Sequence, residues 1–140
     1  MPRMADWTEV FARAPFMRWL GVDAESTAPG RVEATLRVRP ELLQQDGFVH
    51  AGVQTALADH TAGAAAATLT PAGKTVLSIE LKINLLRPAT GQALRCVAEV
   101  LRGGKTVTVV ESSVFSEEKL VAKATVTLAV VDVPSGRASG

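Results

Sequence analysis

One segment of the chain constrains the fold more than any other. Residues 51–68, AGVQTALADHTAGAAAAT, are dominated by small residues, chiefly alanine. On a helix these residues occupy every side, so no polar stripe wide enough to face solvent is left. Such a helix has to be wrapped by other elements, most simply by a curved antiparallel sheet. The segment therefore predicts an enclosed central helix.

The flanking sequence predicts the strands of that sheet. Residues 31–38 alternate apolar and polar side chains, as a half-buried strand does. Residues 75–86 alternate more regularly, and simple alternation divides them into an apolar face of Leu77, Ile79, Leu81, Ile83 and Leu85 and a polar face of Ser78, Glu80, Lys82 and Asn84. Residues 92–133 predict three more strands, joined by turns at Gly103-Gly104 and Glu117-Glu118.

These elements predict one α+β domain spanning residues 1–140, with its core at about 16–133 and a frayed tail from Pro134. One short helix or two half-helices are expected between Trp7 and Leu20, ended by Gly21. The antiparallel sheet of five to six strands leaves open edges. Because natural proteins cover or pair such edges, a second copy of the chain is expected to continue the sheet.

Composition excludes several classes of function. A formal net charge of +1 with scattered basic residues argues against nucleic acid as a partner. The lone Cys96 cannot form an internal disulfide or a redox pair, which suits a cytoplasmic protein. No signal sequence or membrane span is predicted. His50 and His60 are ten residues apart, a spacing that matches no standard zinc cluster, so no metal is expected.

The central helix nevertheless carries residues suited to chemistry. If it begins near His50, the N–H groups of Ala51, Gly52 and Val53 form a positive pole suited to an oxyanion. Asp59 lies eight residues past Ala51, about 12 Å along the axis, and cannot reach its own helix N-terminus. Two antiparallel helices related by a two-fold axis bring one chain's Asp59 to the other chain's pole. A carboxylate facing amide donors suits attack on a carbonyl carbon.

Each of these residues also has an ordinary structural interpretation. Asp59 is compatible with a cap, an ion pair with arginine or an exposed rim position, and His50 with a structural imidazole. His60 points about 100° away from Asp59 around the helix. Ser78 is by default a plain strand serine, and the RGGK sequence at residues 102–105 a hairpin turn rather than a phosphate loop.

The order of motifs is similar to that of the PaaI-like hot-dog-fold acyl-CoA thioesterases. The resemblance runs from about Phe16 to Val133 and rests on FMRWLGV, HAGVQTALAD, TVLSIELKINLLRPA and RGGKTVTVVESSVF. It implies a long helix wrapped by a curved antiparallel sheet that pairs across a homodimer, with dimers joining into a tetramer. It also implies hydrolysis of an aromatic or medium-chain acyl-CoA without a cofactor, since coenzyme A is part of the substrate.

Carried over by position, the resemblance makes Asp59 the catalytic acid and His50 the motif histidine. The oxyanion donor becomes the N–H of Ala51, where the family usually has glycine. Ser78 falls where some members place a serine that helps to hold the hydrolytic water. Gln44 stands where typical members have asparagine, and its longer arm alters the contact with carbonyl or water.

The same resemblance implies the contacts with substrate. The acyl group is expected between the central helix, Phe16, Trp19 and a neighbouring subunit, and the helix N-terminus includes Gly52. The candidates for the phosphates of coenzyme A are Arg87, Arg102 and Lys105. Three points stay open: whether Asp59 is nucleophile or general base, whether the chain is instead a non-catalytic acyl-CoA sensor, and whether it is a hot-dog hydratase.

Overall fold

The computed structural model describes Phe11 and residues 13–134. The beginning of the predicted N-terminal helix, and all of the predicted tail except Pro134, lie outside these residues. The elements in chain order are α1 (Pro15–Leu20), β1 (Val22–Ala28), β2 (Arg31–Arg37), a short 3-10 helix (Pro40–Leu42), α2 (Ala51–Ala67), β3 (Lys74–Leu85), β4 (Ala93–Gly103), β5 (Val107–Ser116) and β6 (Lys119–Asp132).

A six-stranded antiparallel sheet packs against the long helix α2, which confirms the predicted α+β class and the hot-dog arrangement. The strand order is β1-β2-β4-β5-β6-β3, so β1 and β3 form the two edges. Both predicted hairpin turns are present, and the second turns at Glu117 and Glu118, whose φ angles are 51° and 67°. Gly21 ends α1 in the left-handed conformation, with a φ of 86°.

Two features of the sheet were not predicted. Residues 22–28 form the edge strand β1, although they lack the alternation of a half-buried strand and bury only Val22. Strand β3 pairs with β6 rather than with its neighbour in sequence, β4. The connection after β3 passes the N-terminal end of α2 instead of forming a hairpin. Ala89, in this connection, accepts a hydrogen bond from Val49 N–H at 3.0 Å.

A β-bulge corrects the predicted faces of β3. The register with β6 shifts between Ser78 and Glu80, so Ile79 is an extra residue on this strand. Ser78 is therefore opposite the buried Leu128 and faces α2, whereas simple alternation placed it on the polar face with Glu80, Lys82 and Asn84. The bulge brings Ser78 to the helix and keeps Leu81 and Ile83 on that same side.

The small residues of α2 allow the helix to lie close to the sheet. Its inner face is buried along the whole length, and at mid-helix Ser112 Oγ on β5 donates to Ala58 O at 2.8 Å. The opposite side of the helix is only half enclosed by this chain. Along that side run Gly52, Ala56, Asp59, Gly63 and Ala67.

Cys96 on β4 lies in the core below the helix and is fully buried. Burial raises the pKa of its thiol from 9.0 to about 12. Hydrogen bonds with Thr61 and Ser112 lower the pKa, but by less than burial raises it. The thiol is therefore neutral and unreactive in the folded chain at physiological pH.

This pKa predicts a loss of stability at alkaline pH. Above pH 9 the Cys96 thiol ionises in the unfolded chain but stays protonated in the folded chain up to about pH 12. The unfolded state then binds fewer protons, so the free energy of unfolding falls with rising pH, by at most about 1.4 kcal/mol per pH unit. Below pH 9 the contribution of the buried thiol is complete.

Urea unfolding of the wild type and of Cys96→Ala between pH 8 and about 10.5 measures the effect. Subtracting one variant from the other cancels the titration of lysines. The stability advantage of the wild type over Cys96→Ala should shrink above pH 9. A difference that stays constant with pH would show that the thiol titrates alike in both states.

Candidate active site

Asp59 and Ser78 meet where the half-enclosed side of α2 faces the edge strand β3. Ser78 Oγ donates a hydrogen bond to Asp59 Oδ1 at 2.7 Å. Asp59 is half-buried and Ser78 is exposed. Oδ2 of Asp59 has no hydrogen-bond partner among the described residues, so one carboxylate oxygen is oriented by serine while the other stays available to accept a proton or attack a carbon.

His50 caps the N-terminus of α2 with its ring. Its backbone has φ −59° and ψ 138°, and its Nδ1 accepts a hydrogen bond from Gly52 N–H at 2.8 Å. A Cβ on residue 52 would meet Nδ1 at 3.0 Å, so glycine gives the ring room. Because Nδ1 is an acceptor, the neutral ring carries its proton on Nε2, and this exposed N–H is a donor toward solvent or substrate.

The first turn of α2 leaves one backbone donor unpaired, which corrects the predicted three-donor pole. Gly52 N–H is used by His50 Nδ1, and Val53 N–H donates to His50 O at 3.0 Å. Ala51 N–H has no hydrogen-bond partner in the part of the chain that the structure describes. Ala51 is thus the one residue of the predicted pole that can still offer an N–H to an oxyanion.

Gln44 shapes the loop that leads into α2. Its Oε1 accepts hydrogen bonds from Asp46 N–H and, at 3.1 Å, from Phe48 N–H. The backbone N–H of Gln44 donates to Phe48 O at 2.7 Å, and Gly47 turns the loop with a φ of 86°. The longer amide in place of asparagine therefore caps a turn with its oxygen, and only its Nε2 remains to contact a ligand.

The aromatic residues expected at the acyl group lie together on the surface of α1. The rings of Phe16 and Trp19 stack with centroids 6.3 Å apart, and both side chains are more than half exposed. Arg39, which no sequence pattern singled out, holds this helix in place. Its Nη1 donates to Leu20 O at 2.6 Å, its Nη2 donates to Trp19 O at 2.7 Å, and its guanidinium lies over the indole.

The three basic candidates for phosphate binding lie at two ends of one chain. Arg87 belongs to the connection after β3, which contacts the loop at the N-terminal end of α2. Arg102 and Lys105 belong to the β4–β5 hairpin, where a Cβ on Gly103 would come within 3.4 Å of Leu69, two residues beyond the end of α2. A single chain therefore does not gather the three side chains at one end of the helix.

His60 has an aromatic neighbour in the structure. His60 packs edge-on against Phe11, with ring centroids 4.9 Å apart. Within residues 11 and 13–134, no group of three or more histidine, cysteine, aspartate or glutamate side chains is placed to hold a metal ion. No helix in that same part of the chain is long and apolar enough to cross a membrane.

Comparison with known proteins gives consistent similarities. The family model described as Thioesterase superfamily matches residues 46–123. A solved thioesterase family protein of Silicibacter pomeroyi is 36% identical, with a TM-score of 0.88 over 91% of this chain and 96% of that one. The phenylacetic acid degradation protein PaaI of Thermus thermophilus is 28% identical, with a TM-score of 0.76 over 82% and 97%. A 1,4-dihydroxy-2-naphthoyl-CoA hydrolase of Listeria monocytogenes is 30% identical over 79% and 91%.

The hydrogen bond by which His50 caps α2 predicts an effect on stability that can be measured independently of activity. His50→Ala removes the acceptor for Gly52 N–H and should lower the free energy of unfolding by about 1 kcal/mol. His50→Asn supplies a side chain that is well suited to capping and should restore most of this loss. Urea unfolding of the three proteins measures it, and equal stabilities of His50→Ala and wild type would contradict the cap.

Proposed function

Because this chain belongs to the thioesterase superfamily and is a thioester hydrolase, we propose that it cleaves an acyl-CoA at a site built around Asp59. One observation carries the assignment of residues. The Asp59 carboxylate is oriented by Ser78 beside the edge strand β3, while Ala51 offers the unpaired N–H of the first turn of α2. These are the two groups that attack on a thioester carbonyl requires.

The two groups belong to one substrate only if two chains contribute to each site. Eight residues of helix separate Ala51 from Asp59, about 12 Å along the axis, which is too far for both to contact one carbonyl group. If a second chain packs its α2 antiparallel to the first, Asp59 of one chain faces Ala51 of the other. The two-fold axis then generates two equivalent sites.

Two surfaces of the monomer support this pairing. The edge strand β3 is twelve residues long, and its Leu77 and Ile79 are 59% and 61% exposed. A long apolar edge of this kind is normally paired or covered. Independently, the half-enclosed side of α2 carries Gly52, Ala56 and Gly63, whose small side chains allow a second helix to approach closely. Asp59 lies on this side of α2, and Ser78, which bonds to it, lies on β3 between Leu77 and Ile79.

The proposed reaction needs no cofactor. In one route Asp59 takes a proton from water, and the resulting hydroxide attacks the thioester carbon. In the other route Asp59 attacks directly and forms an acyl anhydride that water then hydrolyses. In both routes the carbonyl oxygen becomes negative. It is held by Ala51 N–H of the other chain, with His50 Nε2–H of that same chain beside it. Collapse of this tetrahedral intermediate breaks the C–S bond, giving the free acid in the first route and the anhydride in the second. The thiolate of coenzyme A leaves at this step without a strong acid, since thiol pKa values are about 8.5.

We propose an aromatic or medium-chain acyl group as the substrate class. The stacked rings of Phe16 and Trp19 give a flat apolar surface at the side of the fold, suited to such a group. Two similar proteins are named for aromatic acids, one for 1,4-dihydroxy-2-naphthoyl-CoA and one for phenylacetic acid. Antiparallel pairing also places Arg87 of one chain at the same end of the assembly as Arg102 and Lys105 of the other, which suits a phosphate site shared by two chains.

The assignment of Asp59 predicts the effect of one nearly isosteric substitution. Asp59→Asn keeps an acceptor for Ser78 but cannot act as base or nucleophile, so kcat should fall by about 10² or more. Thiol release from benzoyl-, phenylacetyl- and octanoyl-CoA measures it. Asp23→Asn, an exposed change on the edge strand β1, is the control and should leave the rate unchanged. Wild-type turnover by folded Asp59→Asn would exclude the catalytic role.

A further inference from the structure

Gln54 is a buried polar residue in the first turn of α2 that the catalytic scheme does not use. Its side chain is only 4% exposed. Its Nε2 donates to Val49 O at 3.3 Å, and its backbone N–H donates to His50 O, also at 3.3 Å. The backbone bond is the ordinary i→i−4 bond of the helix, and His50 O also accepts from Val53 N–H, so the contact particular to glutamine is the side-chain bond to Val49 O.

These two carbonyls belong to the peptide units that flank His50. The C=O of His50 and the N–H of Ala51 lie in one planar trans peptide, so fixing the oxygen fixes the direction of the N–H. The preceding unit carries the C=O of Val49 and the N–H of His50, and this N–H donates to Leu42 O at 2.9 Å. With both units held, the backbone dihedrals of His50 and the starting point of its ring are set.

Burial of the Gln54 amide carries a desolvation cost that its one side-chain hydrogen bond offsets only in part. Its Oε1 is buried and has no hydrogen-bond partner among the described residues. An apolar side chain of the same length would avoid that desolvation cost. The side chain is therefore poorly explained by stability alone, and the bond that it does make ends on the loop that presents His50 and Ala51.

We propose that Gln54 is a positioning residue, whose side chain aims Ala51 N–H and the His50 ring at the thioester oxygen by holding the peptide unit between Val49 and His50, from which both follow along the backbone. The inference rests on the proposed function. Gln54 does not touch the substrate, so its loss should affect the oxyanion more than the bound ground state. That difference separates its role from a purely structural one.

Gln54→Met tests the role with little change in volume. It deletes the bond to Val49 and the unpaired oxygen together, so folding should be retained, and kcat should fall at least about tenfold with KM changed less than about twofold. The matched control is Thr61→Val. Thr61 is buried on the same helix but donates to Leu57 O within it, at 2.6 Å, and its replacement should leave kcat unchanged.

Hydrogen exchange gives a second readout that does not depend on activity. The amides of Val49 and His50 are bonded to Ala89 and Leu42, and in Gln54→Met they should exchange at least about tenfold faster, while those in Thr61→Val should not. Gln54→Leu repeats both measurements if the methionine variant is poorly folded. Unchanged exchange, or equal kcat losses in Gln54→Met and Thr61→Val, would overturn the proposal. A wild type that releases no thiol from any acyl-CoA would refute the proposed function instead, and the exchange data would still decide whether Gln54 holds the loop.

Discussion

The rigidity of one helix is the constraint on which the proposed site depends. Asp59 lies more than two turns beyond Ala51 on α2, and a helix cannot bend enough to bring both to one carbonyl group. A single chain therefore holds the carboxylate and the oxyanion donor at separate places. In the proposed dimer a two-fold axis would resolve this separation, because an antiparallel pair of such helices places each carboxylate opposite a donor.

The small residues of α2 affect both sides of the helix. On its inner face they let the backbone approach the sheet closely enough for Ser112 to bond to Ala58 O. On its other side they leave Asp59 accessible beside Gly63 and Ala56, and the apolar edge strand β3 lies next to this side. The composition that first predicts an enclosed helix thus also leaves a half-enclosed surface that contains Asp59, and the proposed second copy would pack on this surface.

Periodicity and composition were enough to predict the helix, the main strands, the hairpin turns and the position of Asp59 on the helix. They could not predict features that pairwise geometry decides. Alternation cannot show a bulge, so it places Ser78 on the wrong face of β3, and only the register with β6 corrects this. The N–H groups of Gly52 and Val53 donate to the ring and to the carbonyl group of His50. Predicting these bonds needs the positions of both acceptors. Arg39 and Gln54 belong to no sequence motif. Their side chains donate to backbone carbonyl groups, whose positions the sequence does not give.

A mixing experiment tests the two-chain site most directly. Asp59→Asn removes the carboxylate, and Ala51→Pro removes the N–H at a helix position that proline favours, after a residue whose φ of −59° and ψ of 138° suit it. Each variant alone should retain about a hundredth of the wild-type activity or less. After subunit exchange, about half of the dimers are mixed and each mixed dimer holds one intact site, so activity should recover to about a quarter of wild type. Mixed dimers that are verified by mass spectrometry and remain as inactive as their parents would contradict a site shared between two chains.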